Sequence, residues 1–210
     1  MTKPWADSAG SGCHTHISLL HADSGENAFG DAGDAQGLTD ACRSFIAGQL
    51  KYARTIDAVI APTVNCLRRR RPHTFSPSNI SWGLEDRSAL VRVKGGSPAN
   101  KHVEYRAPSA LSNPYLVGAA LLQAGLRGIE EELPVPDPSK PGIPAEEDDS
   151  FEKLPIALGE SLDALEGDPA AKEFLGEDFV TAYSRMRRYE LSRFGDSVSE
   201  WERTEYLELF

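Results

Sequence analysis

Polar and apolar side chains alternate near the start of the chain and predict a β-strand. Within residues 10–19, His14, His16 and Ser18 fall on one face of such a strand, and small or apolar side chains fall on the other. A strand does not normally bury two imidazoles and a hydroxyl against an apolar core. The row therefore predicts a polar cavity that holds a metal ion or an anion. The alternative is the solvated face of an antiparallel strand.

Helical spacing of apolar residues dominates the rest of the chain. One helix is predicted from Thr39, a candidate N-cap, to Ala53, and a second, well-buried helix from Asn113 to Glu132. A proline-rich, acidic stretch over 134–149 predicts an irregular flap rather than a packed element. Four more helices are expected near 156–165, 170–174, 178–192 and 197–209, the last with a capping box formed by Ser199 and Glu202.

Arginines cluster between these helical regions. Four follow one another over 68–71, and Arg87, Arg92 and Arg106 come later, the last two on predicted strands over 87–93 and 102–106. Crowded guanidinium groups repel one another unless an anion lies between them. A bound phosphate together with a carboxylate would meet this need. Glu104 and Arg106 share a face of the second predicted strand. Surface pairing with the surplus acidic residues is the alternative.

Composition narrows the class of protein. The chain has 210 residues and a net charge of −10, which argues against nucleic acid as a partner. It contains no apolar run of the roughly 20 residues that a membrane span needs, so no membrane association is expected. Its three cysteines form no CxxC pair, which fits reduced thiols and a cytoplasmic location.

A series of motifs resembles the glutamine synthetase family. The first is Gly10-Ser11-Gly12-x-His14-x-His16-x-Ser18, similar to that family's strand for metal and ATP. The others follow in family order: Pro62-Thr63-x-Asn65 with Arg69, Trp82-Gly83-x-x-Asp86-Arg87-Ser88 with Arg92, and Glu104-x-Arg106 before Asn113-Pro114-Tyr115-Leu116. The resemblance implies an α+β fold: a partial catalytic domain whose antiparallel sheet forms part of the active-site barrel, with a helical C-terminal region.

The resemblance also implies how the chain is organised. Residues 1–210 would be the C-terminal part of the catalytic domain, with 1–110 rich in strands apart from one helical excursion. Residues 111–210 would be helical, with the flap near 134–155. The family's N-terminal β-grasp domain, and the first half of its catalytic domain, would be absent from this chain. The full-length protein would form a homo-oligomeric ring.

The resemblance also implies contacts to a metal ion and to the nucleotide. His14 and Glu104 resemble ligands of one divalent ion, Mg²⁺ or Mn²⁺. His16 and Ser18 resemble contacts to ATP. We expect the side chains of His14 and Glu104 to approach within metal-bridging distance.

The arginines resemble the groups that hold the anionic substrates. Arg87 and Arg92 look like a catalytic clamp on the γ-phosphate of ATP, and Arg69 and Arg106, with Gly10, look like the site for glutamate. The implied reaction joins ammonia or an amine to the γ-carboxylate of glutamate through γ-glutamyl phosphate. A noncatalytic remnant, or a subunit that needs a partner chain to complete its site, is the alternative, and we expect the 210 residues to be inactive alone.

Phe75 departs from the family pattern. It stands where ammonia-using members carry a glutamate that helps to bind ammonium. An organic amine acceptor is therefore favoured, as in the branch that makes γ-glutamylamides or γ-glutamylpolyamines. Other cationic residues match no family role and are expected at the surface or in solvent: Arg68, Arg70, Arg71, His21, His73 and His102.

Overall fold

The computed structural model describes residues 1–71 and 74–209. Within these ranges the strands are β1 (Thr15–Ile17), β2 (Trp82–Leu84), β3 (Val91–Lys94) and β4 (His102–Tyr105). The α-helices are α1 (Asp40–Lys51), α2 (Asp57–Ile60), α3 (Val64–Leu67), α4 (Pro114–Glu130), α5 (Leu158–Gly167), α6 (Pro169–Leu175), α7 (Glu177–Gly195) and α8 (Glu200–Tyr206). The α+β class is confirmed. In the described ranges no helix is both long and apolar enough to cross a membrane.

The four strands form one sheet in the order β1-β4-β3-β2. The pairs β1–β4 and β3–β4 are antiparallel, as predicted, whereas β2 and β3 are parallel. The expectation of a purely antiparallel sheet is thus corrected at one edge. Strand β2 has three residues, too few to give a readable alternation along the sequence.

The two faces of the sheet differ sharply in polarity. One row of register partners runs His16, Glu104, Arg92 and Gly83 across all four strands. Side chains one position away point to the opposite face. That face is buried and apolar, and it carries Trp82, Val91, Val93, Val103 and Tyr105. The sheet therefore presents a polar row on a surface fixed by the core beneath it.

Helices α1 and α4 form the main helical contact and match the predicted helices closely. Thr39 caps α1 through Cys42 N at 3.1 Å, and Asn113 caps α4 through Tyr115 N at 3.0 Å. The two helix axes approach closely at Gly48, where a Cβ would stand only 2.1 Å from Ala124 O. Only glycine, which has no side chain, allows this distance. The predicted capping box at α8 is also confirmed.

The flap is fastened to the sheet rather than loose. Trp82 Nε1 donates to Pro136 O at 2.7 Å, and Ser139 N donates to Trp82 O at 2.7 Å. Asp86 accepts a 2.5 Å hydrogen bond from Ser139 Oγ. Apart from a short 3₁₀ turn at Ala145–Glu147, the segment is irregular, as expected. It is packed against β2, which the sequence did not indicate.

Arg70 is buried, which corrects the expectation that it lies at the surface. Its Nη1 and Nη2 atoms contact the carboxylate of Asp57 at 2.7 and 2.5 Å, and both side chains are 2% exposed. Ser161 Oγ donates to the same carboxylate at 2.7 Å. This pair ties the loop that carries Arg69 to helices α2 and α5. Arg68 and Arg71 are exposed, as predicted.

We predict that Arg70→Ala lowers the free energy of unfolding by about 3–5 kcal/mol, because it leaves the Asp57 carboxylate buried without a counter-charge. Urea denaturation of the purified protein measures the change in the free energy of unfolding. Arg68→Ala is the control and should stay within about 0.5 kcal/mol. Equal effects of the two substitutions would contradict a structural role for the buried pair.

Candidate active site

Glu104 lies at the centre of the polar sheet face, 3% exposed. Its Oε1 atom is 2.8 Å from His14 Nδ1 and 3.0 Å from Arg106 Nη1, and its Oε2 atom is 3.1 Å from Arg92 Nη1. The structure therefore brings together four of the residues that the sequence selected. Strand β4 supplies Glu104 and positions Arg106 just beyond its end, β3 supplies Arg92, and His14 immediately precedes β1.

The electrostatics of the cluster keep Glu104 charged. Burial by itself would raise the pKa of Glu104, but Arg106, His14 and Arg92 outweigh it and lower the pKa below its usual value. Burial and the charge of Arg106 lower the pKa of His14, in part against the attraction of Glu104. At pH 7 these four groups are therefore a carboxylate, a neutral imidazole and two guanidinium ions, which sum to +1 before the Glu85 carboxylate on Arg92 is counted.

Two buried N–H groups of this cluster have no hydrogen-bond partner among the described residues. They are the Nε–H groups of Arg92, a residue that is 8% exposed, and of Arg106, which is 6% exposed. An unsatisfied buried donor costs about 1–3 kcal/mol. Such donors on cationic groups fit a site that an anion completes.

A cleft of about 300 Å³ opens beside the cluster. Gly10, Arg69, Phe75 and Arg106 line it, together with His14. The structure thus gathers the three residues assigned to glutamate, and His14, around one opening. Both the polarity and the size of the cleft suit a small anionic molecule.

Glycines let Arg69 reach this cleft. The guanidinium donates from Nη1 to Ala107 O at 3.3 Å and Pro108 O at 3.1 Å, and the residue is 5% exposed. A Cβ on Gly10 would stand 2.5 Å from Arg69 Cγ, and one on Gly12 would stand 2.5 Å from Arg69 Nη2. The close approach of the arginine stem therefore requires glycine at position 10, and a side chain at position 12 would displace the guanidinium.

Phe75 stands at the mouth of the same cleft and is 84% exposed. Its φ angle is +61°, a left-handed conformation that is unfavourable for a bulky side chain. Strained residues persist mainly where the surrounding structure and function hold them. The ring is thus presented to whatever enters the cleft.

His16 lies opposite Glu104 in the sheet, and its ring is 5.2 Å from that of His102. His16, on the edge strand β1, and Ser18, just after its end, are both exposed. His102 was expected in solvent. It is instead half-buried, and its ring packs on that of His16. His21 is exposed, and His73 lies outside the described residues.

Within the described part of the chain, Arg87 makes no ion pair with Glu104 and lines a different cleft. It is exposed and lines a larger cleft of about 640 Å³ between the end of β2 and the flap. Arg92, its predicted companion, contacts Glu104 and Glu85 instead. Burial, and then the charges of Arg92 and Arg87, lower the pKa of Arg106, so both phosphate arginines act electrostatically on the same buried guanidinium.

His14 and Glu104 are the side chains that could donate to a divalent ion at this site. No group of three His, Cys, Asp or Glu side chains in 1–71 and 74–209 could hold a metal ion. His14 and Glu104 converge, however, and a neutral His14 that donates Nδ1–H to Glu104 keeps its Nε2 lone pair for a metal. Mg²⁺ commonly uses one or two protein ligands, with water and phosphate oxygens completing its octahedron. In this arrangement His14 fits such a partial contribution through Nε2, whereas Glu104 orients the imidazole and would bind the same ion only if the His14 ring turned away from it.

Sequence reasoning missed Glu85 and the scaffold role of Gly12. Glu85 contacts Arg92 and accepts a 2.5 Å hydrogen bond from Gly95 N. No short motif marks an acid in this role, because its partners lie 7 and 10 residues further along the chain. Gly12 could have been found, since a second glycine beside an arginine-dependent motif indicates a close approach.

Fold and cluster together define an α+β domain with a cationic, partly buried site. The family model "Glutamine synthetase, catalytic domain" matches residues 1–206. The chain therefore belongs to the glutamine synthetase family.

Individual relatives agree with this assignment. The chain is 38% identical to the glutamine synthetase of Halobacterium salinarum over 215 residues, covering 100% of this chain and 47% of that protein. It is 38% identical to the gamma-glutamylethanolamide synthetase GlnA4 of Streptomyces coelicolor over 193 residues, covering 92% of this chain and 40% of that protein. The chain spans about half the length of the curated relatives it matches.

Solved structures give the same result. GmaS without ligand superposes with a TM-score of 0.86 at 33% identity, covering 99% of this chain and 47% of that chain. A GmaS/ADP complex superposes with a TM-score of 0.85, covering 99% and 48%. The sheet and its helices thus have the arrangement found in a solved member of this fold.

We predict that Gly10→Ala lowers the free energy of unfolding by about 1–3 kcal/mol, because the added methyl group overlaps Arg69 Cγ. Urea denaturation measures the change. Gly118→Ala in α4 is the matched control, since its Cβ would meet no atom within 4 Å. It should raise stability by up to about 1 kcal/mol through helix propensity. The same sign for both substitutions would contradict the close packing of Arg69 on Gly10.

Proposed function

We propose that this chain forms part of an ATP-dependent ligase that joins an amine to the γ-carboxylate of glutamate. The observation that carries the proposal is the buried Arg92–Glu104–Arg106 cluster with its two unpartnered Nε donors. Two anions, a carboxylate and a polyphosphate, are what such a cluster could hold close together. Family membership and the similarity to GlnA4 and to an ADP complex of GmaS support this reading.

Arg69 and Arg106 are proposed to hold glutamate in the 300 Å³ cleft, with Gly10 at its wall. Arg92 and Arg87 are proposed to hold the phosphates of ATP, with His16 and Ser18 on the nucleotide side. Because Arg87 lies in the other cleft, it would have to move, or the phosphates would have to reach it, for both arginines to act on one group.

The reaction proceeds in two steps. A γ-carboxylate oxygen of glutamate attacks the γ-phosphorus, the bond to the β-phosphate oxygen breaks, and ADP leaves. The amine nitrogen then attacks the acyl carbon of γ-glutamyl phosphate, the bond from carbon to the phosphate oxygen breaks, and inorganic phosphate leaves. An alkylammonium ion loses one proton before the attack and a second as the amide forms. The guanidinium groups offset the charge that develops on the transferred phosphoryl group.

His14 and Glu104 would hold a divalent ion, Mg²⁺ or Mn²⁺. Such an ion neutralises phosphate charge when it is bound. The remaining ligands would come from water, phosphate and protein groups beyond this pair.

Phe75 favours an organic amine over ammonia as the acceptor. Ammonium is best held by a nearby carboxylate, which a phenyl ring does not provide. An exposed ring instead offers apolar contact to an alkyl chain, and a cation–π contact of about 0.5–2 kcal/mol to an ammonium end. One methylene changes discrimination only about 10–200-fold, so the preference is expected to be broad across alkylamines.

The protein is proposed to work as a cytoplasmic homo-oligomer. Large apolar side chains are exposed along α7 and α8 and beyond, including Tyr189, Trp201, Leu207 and Leu209, each more than 60% exposed. Surface of this kind favours a protein partner or association between copies. The alternative function is a remnant or a subunit completed only by a partner chain. It is supported by the lack of a group of three metal donors among residues 1–71 and 74–209.

The test compares the 210-residue chain alone with the same chain joined to the reading frame upstream of it. Phosphate release is assayed with ATP, glutamate and either ammonia, ethylamine, ethanolamine or putrescine. We expect amine-dependent release from the joined protein and none from the chain alone. No release from the joined protein would favour the remnant, and full release from the chain alone would exclude partner dependence.

In the joined protein, Phe75→Glu should shift the ratio of ammonia to amine turnover toward ammonia by about tenfold or more, because it restores a carboxylate at the mouth of the cleft. Relative kcat/KM values measure the shift. Tyr115→Glu, at another aromatic residue that is 85% exposed, is the control and should leave the ratio unchanged. If ammonia serves the unchanged protein as well as the best amine, the organic-acceptor proposal is wrong.

A further inference from the structure

Glu85 forms a bridge between the Arg92 guanidinium and the backbone of Gly95. It follows β2 directly, and its N–H continues the ladder by donating to Val93 O at 2.9 Å. Its Oε1 atom accepts from Gly95 N at 2.5 Å, and its Oε2 atom accepts from Arg92 Nη2. Both ends of the carboxylate are therefore engaged, one by the backbone and one by a buried guanidinium.

The backbone at Glu85 is strained to allow this bridge. Its φ angle is +53°, and only Phe75 and Glu132 share a positive φ among the described residues other than glycine. The hydrogen bond from Gly95, and then Arg92, lower the pKa of Glu85 to about 2, so the carboxylate stays charged. Lys94 Nζ lies 3.5 Å away and adds to this anchoring.

Arg92 is shared between two carboxylates as a result. Its Nη1 donates to Glu104 and its Nη2 to Glu85, while Nε keeps no partner among the described residues. A guanidinium beside a single carboxylate tends to turn and bind it through two parallel N–H groups. Glu85 opposes this rotation, because it holds the outer nitrogen from the other side.

From this geometry we propose that Glu85 is a positioning residue, which prevents Arg92 from closing on Glu104 and so leaves the Arg92 donors able to bind a nucleotide phosphate. The inference rests on the proposed function of Arg92. It goes beyond that function by assigning a role to a residue that no sequence motif selects.

Glu85→Gln tests the inference, because the amide oxygen can accept from Gly95 or from Arg92 but cannot serve both as a carboxylate does. Calorimetric titration with ADP and Mg²⁺ of the protein joined to its upstream reading frame should show affinity reduced about tenfold or more. Glu85→Asp keeps the charge and tolerates a positive φ, and should recover most of the affinity. Glu152→Gln, in an exposed pair with Arg54 at 3.5 Å, is the control and should stay within about twofold.

Rotation of the Arg92 guanidinium provides a readout that needs no nucleotide. In ¹⁵N spectra of the same proteins, assigned with Arg92→Lys, the two Nη signals should be resolved by hindered rotation in the unchanged protein and altered in Glu85→Gln. ADP affinity and Arg92 signals that both match the unchanged protein would overturn the inference. If no variant binds ADP, the proposed function fails, and the guanidinium signals alone decide the role of Glu85.

Discussion

The structure depends on one buried carboxylate among several buried cations. Glu104 neutralises part of the charge of Arg92 and Arg106 and contacts His14. Polar groups from β3, from β4 and its end, and from the residue before β1 therefore meet at one point. Burying a charge is costly unless it is paired and hydrogen-bonded. The pairing here is incomplete on the cationic side, because both Nε groups lack partners in the described ranges. That imbalance is the physical basis for an anion site.

The rest of the fold serves to hold this cluster in place. The apolar face of the sheet fixes the direction of the strands, and the register of β1, β4 and β3 then aligns His16, Glu104 and Arg92. The buried Arg70–Asp57 pair anchors the loop that delivers Arg69 to the cleft. The arginines near the cleft are thus held in position by strand register or by a buried ion pair, and not left free on the protein surface.

Periodicity and motif spacing predicted much of this arrangement. Alternation along residues 10–19 indicated the polar face, and the order of motifs identified the family; the caps Thr39 and Asn113 marked the ends of α1 and α4. The burial of Arg70 could not be predicted, because Arg70 lies in a loop and its partner Asp57 lies 13 residues upstream, at the start of α2. Glu85 was missed for a similar reason, since its bridge requires a backbone conformation that a glutamate seldom adopts. Contacts set by tertiary structure leave little trace in local sequence.

The central claim is that Arg69 and Arg106 hold a glutamate whose γ-carboxylate attacks a phosphate held by Arg92. Isotope transfer tests this claim most directly. Glutamate labelled with ¹⁸O in its γ-carboxylate is supplied to the joined protein with ATP and an amine, and the released phosphate is analysed by mass spectrometry. Activation through γ-glutamyl phosphate predicts one ¹⁸O atom in each phosphate released. Unlabelled phosphate would mean that ATP is hydrolysed by water, and would contradict the proposed chemistry of the site.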